Sequence, residues 1–187
     1  MTAGGRFRVL ESSTLCAAGF LSITRKLVVD PDGYEHERHV VHHPGAVVVV
    51  PIEGDHALMV RQYRVATDRV LLEIPAGKRD VPGEAPEATA GRELEEEIGR
   101  RAARLDLLCE FYNSPGFCDE YTYLFLATGL EVCARAAVTA EEAAMTVERV
   151  PLDAVDDLIA TGGIVDAKSI IGLLLARRHL AAGASGA

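Results

Sequence analysis

The stretch from Glu84 to Glu97 constrains this chain more than any other. Six of its residues are Glu (84, 87, 93, 95, 96, 97) and one is Arg92, a local charge of −5 within a total of −9. The segment from Pro86 to Ile98 has helical periodicity, with Pro at an early position and Gly99 as the stop. Taking about 100° per residue and Glu93 as origin, Glu97 falls near 40° and Glu96 near −60°, on one face. Leu94, Ile98 and Gly91 fall between about 100° and 160°, the face expected to pack on a sheet. Glu95 points away from the other acids. Three carboxylates on one helical face repel each other unless a cation joins them. Hard oxygen donors of this kind suit divalent ions, Mg²⁺ or Mn²⁺. A solvated acidic helix is the ordinary alternative, but it leaves the preceding Gly/Pro-rich loop and the lone Arg92 unexplained.

The remaining composition narrows the setting. With 187 residues and 49% hydrophobic against 25% charged residues, the chain can bury a core. The acidic surplus argues against wrapping of DNA or RNA, which needs a basic footprint. The N-terminal twenty residues lack a continuous apolar stretch, so no signal peptide is expected, and no apolar run approaches a membrane span. Cys16, Cys109, Cys118 and Cys133 are isolated, without a CxxC pair, and read as reduced thiols of a cytoplasmic protein.

Along the chain, Phe7–Ser13, Leu21–Val29 and Tyr34–His43 read as strands, with Asp30-Pro31-Asp32-Gly33 as a hairpin turn. Ala46–Val50 is apolar without alternation, the pattern of a strand buried on both faces. Further strands are expected at Ala57–Tyr63, Val70–Ile74, Leu105–Phe111 and Thr122–Ala127. Residues 75–83 read as loop, Pro151–Ala160 as a short helix and Ala167–Leu180 as a longer one. The expected fold is α+β, an α/β/α sandwich around a mixed sheet. It divides into an antiparallel β arm (1–43), a main domain (44–182) and a flexible tail (183–187).

The segment Gly77-KRDVPG-Glu84-APEATAG-Arg92-Glu93-Leu94-Glu95-Glu96-Glu97-Ile98-Gly99 resembles the Nudix box, G-x5-E-x7-R-E-U-x-E-E-x-G-U with U aliphatic. Here six residues rather than five separate Gly77 from Glu84, and Arg100 replaces the final aliphatic residue. An added loop residue costs little closure entropy. The resemblance to Nudix hydrolases implies that Glu93, Glu96 and Glu97 hold two or three Mg²⁺ or Mn²⁺ ions, with the carbonyl of Ala76 as a further ligand. Arg92 and Glu84 are implied as braces of the loop and helix.

Three further pieces resemble the ADP-ribose pyrophosphatase branch. These are Arg61-Gln62-Tyr63-Arg64 followed by Leu72-Glu73-Ile74-Pro75-Ala76-Gly77, then Ser114-Pro115-Gly116-Phe117, and Asp119-Glu120 directly after it. The resemblance implies metal-dependent cleavage of ADP-ribose to AMP and ribose 5-phosphate, with UDP- or GDP-sugars as alternative substrates. A non-catalytic ADP-ribose-binding regulator is the alternative of a different class. Arg61 and Arg64 could grip a phosphate or the terminal ribose through bidentate donors. Glu73 could accept from ribose hydroxyls or simply pair with an arginine. Ser114, Pro115, Gly116 and Phe117 would wall the substrate pocket. A loop glutamate is implied as general base, Glu142 first and Glu141 second. The arm is implied to exchange across a homodimer. His36, His39, His42 and His43 alternate sides as a strand and read as half-solvated rather than as ligands. Tyr34, Tyr63 and Phe117 could stack on a base, although packing explains each as well.

Overall fold

The computed structural model describes residues 6–135 and 143–184. Two compact units separate: residues up to Gly45 together with Tyr112–Tyr121, and Ala46–Phe111 together with the chain from Thr122.

In the first unit, β1 (Arg8–Ala18), β2 (Leu21–Val29) and β3 (Glu35–His42) form an antiparallel sheet in that order. The expected turn after Val29 closes through Asp30, whose Oδ1 accepts from the amides of Asp32 and Tyr34, both at 2.9 Å. β1 continues past the expected Ser13, because Cys16, Ala17 and Ala18 pair with Ile23, Ser22 and Leu21 after an irregularity at Thr14–Cys16. All of β1 is exposed and β2 is only half-buried, so this sheet has no dry face of its own. The same unit holds the connection after residue 112. Val41 donates to the Phe117 carbonyl at 2.8 Å, and the Asp119 amide donates back to Val41 at 3.1 Å.

The strands of the second unit are β4 (Ala46–Glu53), β5 (His56–Arg64), β6 (Arg69–Glu73), β7 (Ala76–Lys78), β8 (Arg100–Tyr112), β9 (Tyr121–Val132) and β10 (Thr146–Pro151). They form a mixed sheet with strand order β10-β5-β4-β9-β8, in which β6 pairs with β5 and β7 with β4. The central β4 runs parallel to β9, from Ala46↔Thr122 to Pro51↔Ala127. Its valines divide between two dry faces, which accounts for the unbroken apolar run. Val48 and Val50 pack with Met59, Ile74, Leu124 and Leu173, while Val47 and Val49 pack with Leu58, Val60, Leu94, Ile98 and Phe125. Helix α1 (Pro86–Ile98) covers the second face. Helices α2 (Val155–Ala160) and α3 (Ala167–Ala184) cover the first. The unit is thus the expected α+β sandwich of helix, sheet and helix layers. Among the described residues, no helix is long and apolar enough to cross a membrane.

Four local expectations are corrected. Residues 76–78 are strand, not loop, because Ala76, Gly77 and Lys78 pair with Val48, Val47 and Ala46. Pro151 ends β10 instead of opening a helix; a 3₁₀ turn at Leu152–Ala154 intervenes before α2. Gly91 does not face the sheet: Ala90, Leu94 and Ile98, spaced by four, form the packed stripe. Helix α3 runs to Ala184 rather than stopping at Leu180, so residues 183 and 184 are helical; 185–187 lie outside the described residues.

Candidate functional site

Helix α1 opens at Pro86 without a side-chain cap on its N-cap residue, Ala85. Glu84 takes over part of that role. Its Oε2 accepts from the buried Thr89 hydroxyl at 2.7 Å, placing a carboxylate at the positive end of the helix. The helix ends at Gly99 in the left-handed conformation, with its amide returned to Glu95. The preceding loop is tied back by Arg79, which donates to the Glu84 carbonyl at 3.4 Å and lies over the Tyr123 ring at 4.9 Å.

Packing of α1 through Ala90, Leu94 and Ile98 carries two of the acids inward: Glu93 is 6% exposed and Glu97 3%. Glu96 stays at the edge and Glu95 leaves for Arg101, as its angular position requires. Arg92 faces three carboxylates at once. Its Nη1 lies 2.9 Å from Glu93 Oε1 and 2.7 Å from Glu96 Oε2, and its Nη2 lies 3.6 Å from Glu84 Oε2. Burial works against its charge, but Glu93, Glu96 and Glu84 together hold its pKa above the ordinary arginine value.

Across from α1 lies β7. The Ala76 amide donates to Glu97 Oε2 at 3.0 Å. At Gly77 the glutamate takes the place a side chain would fill: a Cβ there would lie 1.8 Å from Glu93 Cδ and 2.0 Å from its Oε1. A side chain at the box glycine would therefore displace the Glu93 carboxylate from this place.

These donors fit a divalent cation. Glu84, Glu93 and Glu96 share one guanidinium, Glu97 adds a fourth carboxylate facing β7, and two of the four are nearly dry. Negative charge so placed demands positive charge. Among the described residues, however, no three Asp, Glu, His or Cys groups are gathered as a ready metal cage. Arg92 bridges Glu93 and Glu96 with a positive nitrogen at hydrogen-bond distance from both.

The strand residues expected to meet substrate are engaged with acids. Arg64 grips Glu73 through both arms of its fork, Nε to Oε1 at 2.9 Å and Nη2 to Oε2 at 2.6 Å. Glu73 is 1% exposed, so the pair is structural on its carboxylate side. That hydrogen bond raises the Arg64 pKa against the opposing pull of burial, with Glu73, Glu97 and Asp166 adding to it electrostatically. Arg61 pairs with Glu148 of the neighbouring β10. Ser114, Pro115, Gly116 and Phe117 belong to the first unit, where the Phe117 and Cys118 amides fold back on the Ser114 carbonyl at 3.1 and 2.9 Å. Glu141 and Glu142 lie outside the described residues.

The four histidines of the arm do not gather. His36 pairs with Asp30, His39 lies 3.5 Å from Glu37, and His43 meets Phe20 edge-on. His42 bridges Thr24 Oγ1 at 2.8 Å and Asp119 Oδ2 at 2.5 Å. Tyr34, Tyr63 and Phe117 are exposed, Tyr63 donating to Asp68 at 2.6 Å. The sequence reading missed Thr89, Arg79 and Glu148. It also missed Ser169 and Asp166, for which the Asp-x-x-Ser spacing at a helix start was an available signal.

A family model described as the NUDIX domain matches residues 41–171. An ADP-ribose pyrophosphatase of Mycobacterium tuberculosis (strain ATCC 25618 / H37Rv) is 38% identical over 169 residues, covering 90% of this chain and 82% of that protein. An ADP-ribose pyrophosphatase of Bacillus subtilis (strain 168) is 41% identical over 140 residues, 74% of this chain and 75% of that protein. Among solved structures, an ADP compounds hydrolase superposes with a TM-score of 0.87 at 23% identity, over 98% of both chains. That last likeness supports the fold.

Proposed function

This chain belongs to the Nudix family of hydrolases, and from that premise we propose that it cleaves the diphosphate of ADP-ribose, giving AMP and ribose 5-phosphate. The observation that carries the proposal is the pairing of α1 with β7. It puts Glu93 and Glu97 beside the Ala76–Gly77 strand, with Arg92 shared between Glu93 and the neighbouring Glu96. The two ADP-ribose pyrophosphatases at 38% and 41% identity support the choice of nucleotide. Members of the family generally need divalent metal ions; here two or three Mg²⁺ or Mn²⁺ are proposed.

Glu93, Glu96, Glu97 and the Ala76 carbonyl would hold the ions. When bound, they supply Lewis acidity to the diphosphate and make water a better nucleophile at neutral pH. The protein's part is to hold Glu93 and Glu97 in place and out of bulk water, with Glu96 at the edge. Arg92 offsets the charge of Glu93 and Glu96 and reaches Glu84 as well, and with ions bound it would be available to a phosphate oxygen. Arg61 is proposed as a phosphate or ribose contact. The geometry leads us to reassign Arg64 and Glu73 from substrate contacts to a brace of the strand end. Ser114, Pro115, Gly116 and Phe117 remain proposed substrate contacts on the resemblance, and Glu142, then Glu141, the proposed base. A homodimer is proposed because β1 exposes Val9, Leu10 and Leu15 on a sheet without a dry face; sedimentation at a monomer mass would refute it. Four free thiols suit a reducing compartment such as the cytoplasm.

The test is product release from ADP-ribose, UDP-glucose, GDP-mannose and diadenosine polyphosphates, with Mg²⁺ and Mn²⁺ compared. ADP-ribose is expected to be the preferred substrate. A clear preference for a UDP- or GDP-sugar would replace the substrate. Undiminished turnover by Glu93→Gln and Glu97→Gln would overturn the site.

A further inference from the structure

The segment from Glu73 to Ala76 is held at every residue, each time by a different element. β5 grips the Glu73 carboxylate through Arg64. The Ile74 amide donates to Ser169 Oγ of α3 at 2.9 Å. The Val49 amide of β4 donates to the Pro75 carbonyl at 2.9 Å. The Ala76 amide donates to Glu97 of α1 at 3.0 Å. Three of these anchors are strands or a helix next to the site. The fourth, α3, lies on the opposite face of the sheet and some seventy residues beyond the Nudix box.

The Ser169 anchor is built with care. Its side chain is fully buried, its hydroxyl donates to Asp166 Oδ2 at 2.7 Å, and its amide donates to the same oxygen at 2.9 Å. With its proton committed to Asp166, the Ser169 oxygen is left as an acceptor aimed at Ile74. Asp166 is itself pinned by Lys168 at 2.6 Å. Three residues further on, Gly172 brings the α3 backbone so near that a Cβ there would lie 2.8 Å from Ile74 Cδ1. Helix α3 thus meets this strand end by a directed hydrogen bond and by close contact together. A helix that only covered apolar sheet would need neither.

We propose that Ser169 is a positioning residue of the diphosphatase site: its hydroxyl, oriented by Asp166, fixes the strand end that presents Ala76 to Glu97. The inference rests on the reading of Glu97 and the Ala76 carbonyl as metal ligands. Removing the hydroxyl leaves the Ile74 amide without its acceptor, and two residues later the Ala76 carbonyl loses its register against α1. Groups that orient ligands from behind typically change metal affinity or activity by about 10–100-fold when removed.

The test is Mn²⁺ binding by the full chain, read from the EPR signal of free Mn²⁺, together with steady-state kinetics. Ser169→Ala is expected to weaken Mn²⁺ binding and to lower kcat, each by roughly 10-fold or more, with KM for ADP-ribose little changed. Ser169→Cys, which keeps the volume but bonds weakly, is expected to follow it, and Ser169→Thr to recover both values. Leu173→Ala, a core change in the same helix, is expected to lower Tm while leaving Mn²⁺ affinity intact. Wild-type Mn²⁺ affinity in both Ser169→Ala and Ser169→Cys would overturn the proposal, as would an equal loss in Leu173→Ala. Glu97→Gln distinguishes a failure of the metal-ligand reading from a failure at Ser169. If it binds Mn²⁺ like wild type, the ligand reading itself fails; if it does not, failure at Ser169 belongs to this inference alone.

Discussion

Gly77→Ala is the most direct probe of the site, because the structure gives the size of the perturbation. The new methyl would lie 1.8 Å from Glu93 Cδ, whereas two carbons rest about 3.5–4.0 Å apart. Glu93 must therefore retreat by about 2 Å. It can do so because the clash is with the far end of a flexible side chain, not with backbone. Its exit is resisted by burial and by Arg92 at 2.9 Å. Overpacking of this kind costs about 1–3 kcal/mol, and in a chain of this length each kcal/mol lowers Tm by roughly 2–4 °C. The protein should stay folded with a modestly reduced Tm. Catalysis should suffer far more, since a misplacement of about 1 Å in a reacting constellation can cost about 10²-fold. The expectation is a kcat/KM for ADP-ribose at least about 10²-fold down, or about 2.7 kcal/mol of barrier. Because both changes disable the same ligand, Gly77→Ala/Glu93→Gln should be no worse than Glu93→Gln alone. Differential scanning fluorimetry and an AMP-release assay measure both quantities. A folded Gly77→Ala enzyme within threefold of wild-type activity would show that Glu93 does not work from the position seen here.

Arg64→Ala should destabilise the fold by about 3 kcal/mol in urea titration, because it strands the buried Glu73 carboxylate. Arg64→Met/Glu73→Leu should recover most of that loss; a raised KM at unchanged urea midpoint would instead return Arg64 to substrate binding. Asp166 provides a pH test. Burial pushes its pKa up, but Lys168 and the Ser169 hydrogen bonds more than offset this and hold it below its ordinary 3.8. Its stabilisation is therefore complete above about pH 4 and is lost as pH falls through the lowered value. Asp166→Asn should flatten that acid limb in a Tm–pH series, and an unchanged limb would refute the assignment. Mg²⁺ should raise Tm by the binding linkage, about 2.7 kcal/mol at a hundredfold excess over Kd. Glu97→Gln should abolish most of the rise, and an equal rise in that variant would place the ions elsewhere.

Much of the site was legible because helical geometry is local. The spacing of Glu93, Glu96 and Glu97 determines their common side of α1, and Leu94 with Ile98 determines which side packs. The misplacement of Gly91 shows where angular bookkeeping fails. Ala90 fits the sheet better, and a residue at the stripe's margin goes to whichever side the packing leaves open. For the arginines of β5 the residues left two readings open, a substrate contact or, for one of them, a pair with Glu73. Whether Arg64 meets a phosphate or Glu73 depends on how its side chain runs along the β5–β6 hairpin, where Glu73 lies opposite Val60 and Arg64 opposite Arg69.

What the sequence determined by itself was the Nudix box, the helix that carries it, the doubly buried β4 and hence the family and layer order. Each is written in residues close together in the chain, where periodicity and backbone stereochemistry decide. Only the tertiary structure decided that Ala76–Lys78, rich in loop signals, becomes a strand by docking on β4. Only it showed that Gly77 leaves the space the Glu93 carboxylate fills, and that Ser169 reaches the strand end from the far helix. Those are hydrogen bonds and close approaches between segments distant in sequence. Their energies depend on where the sheet brings the backbone, which no local pattern encodes.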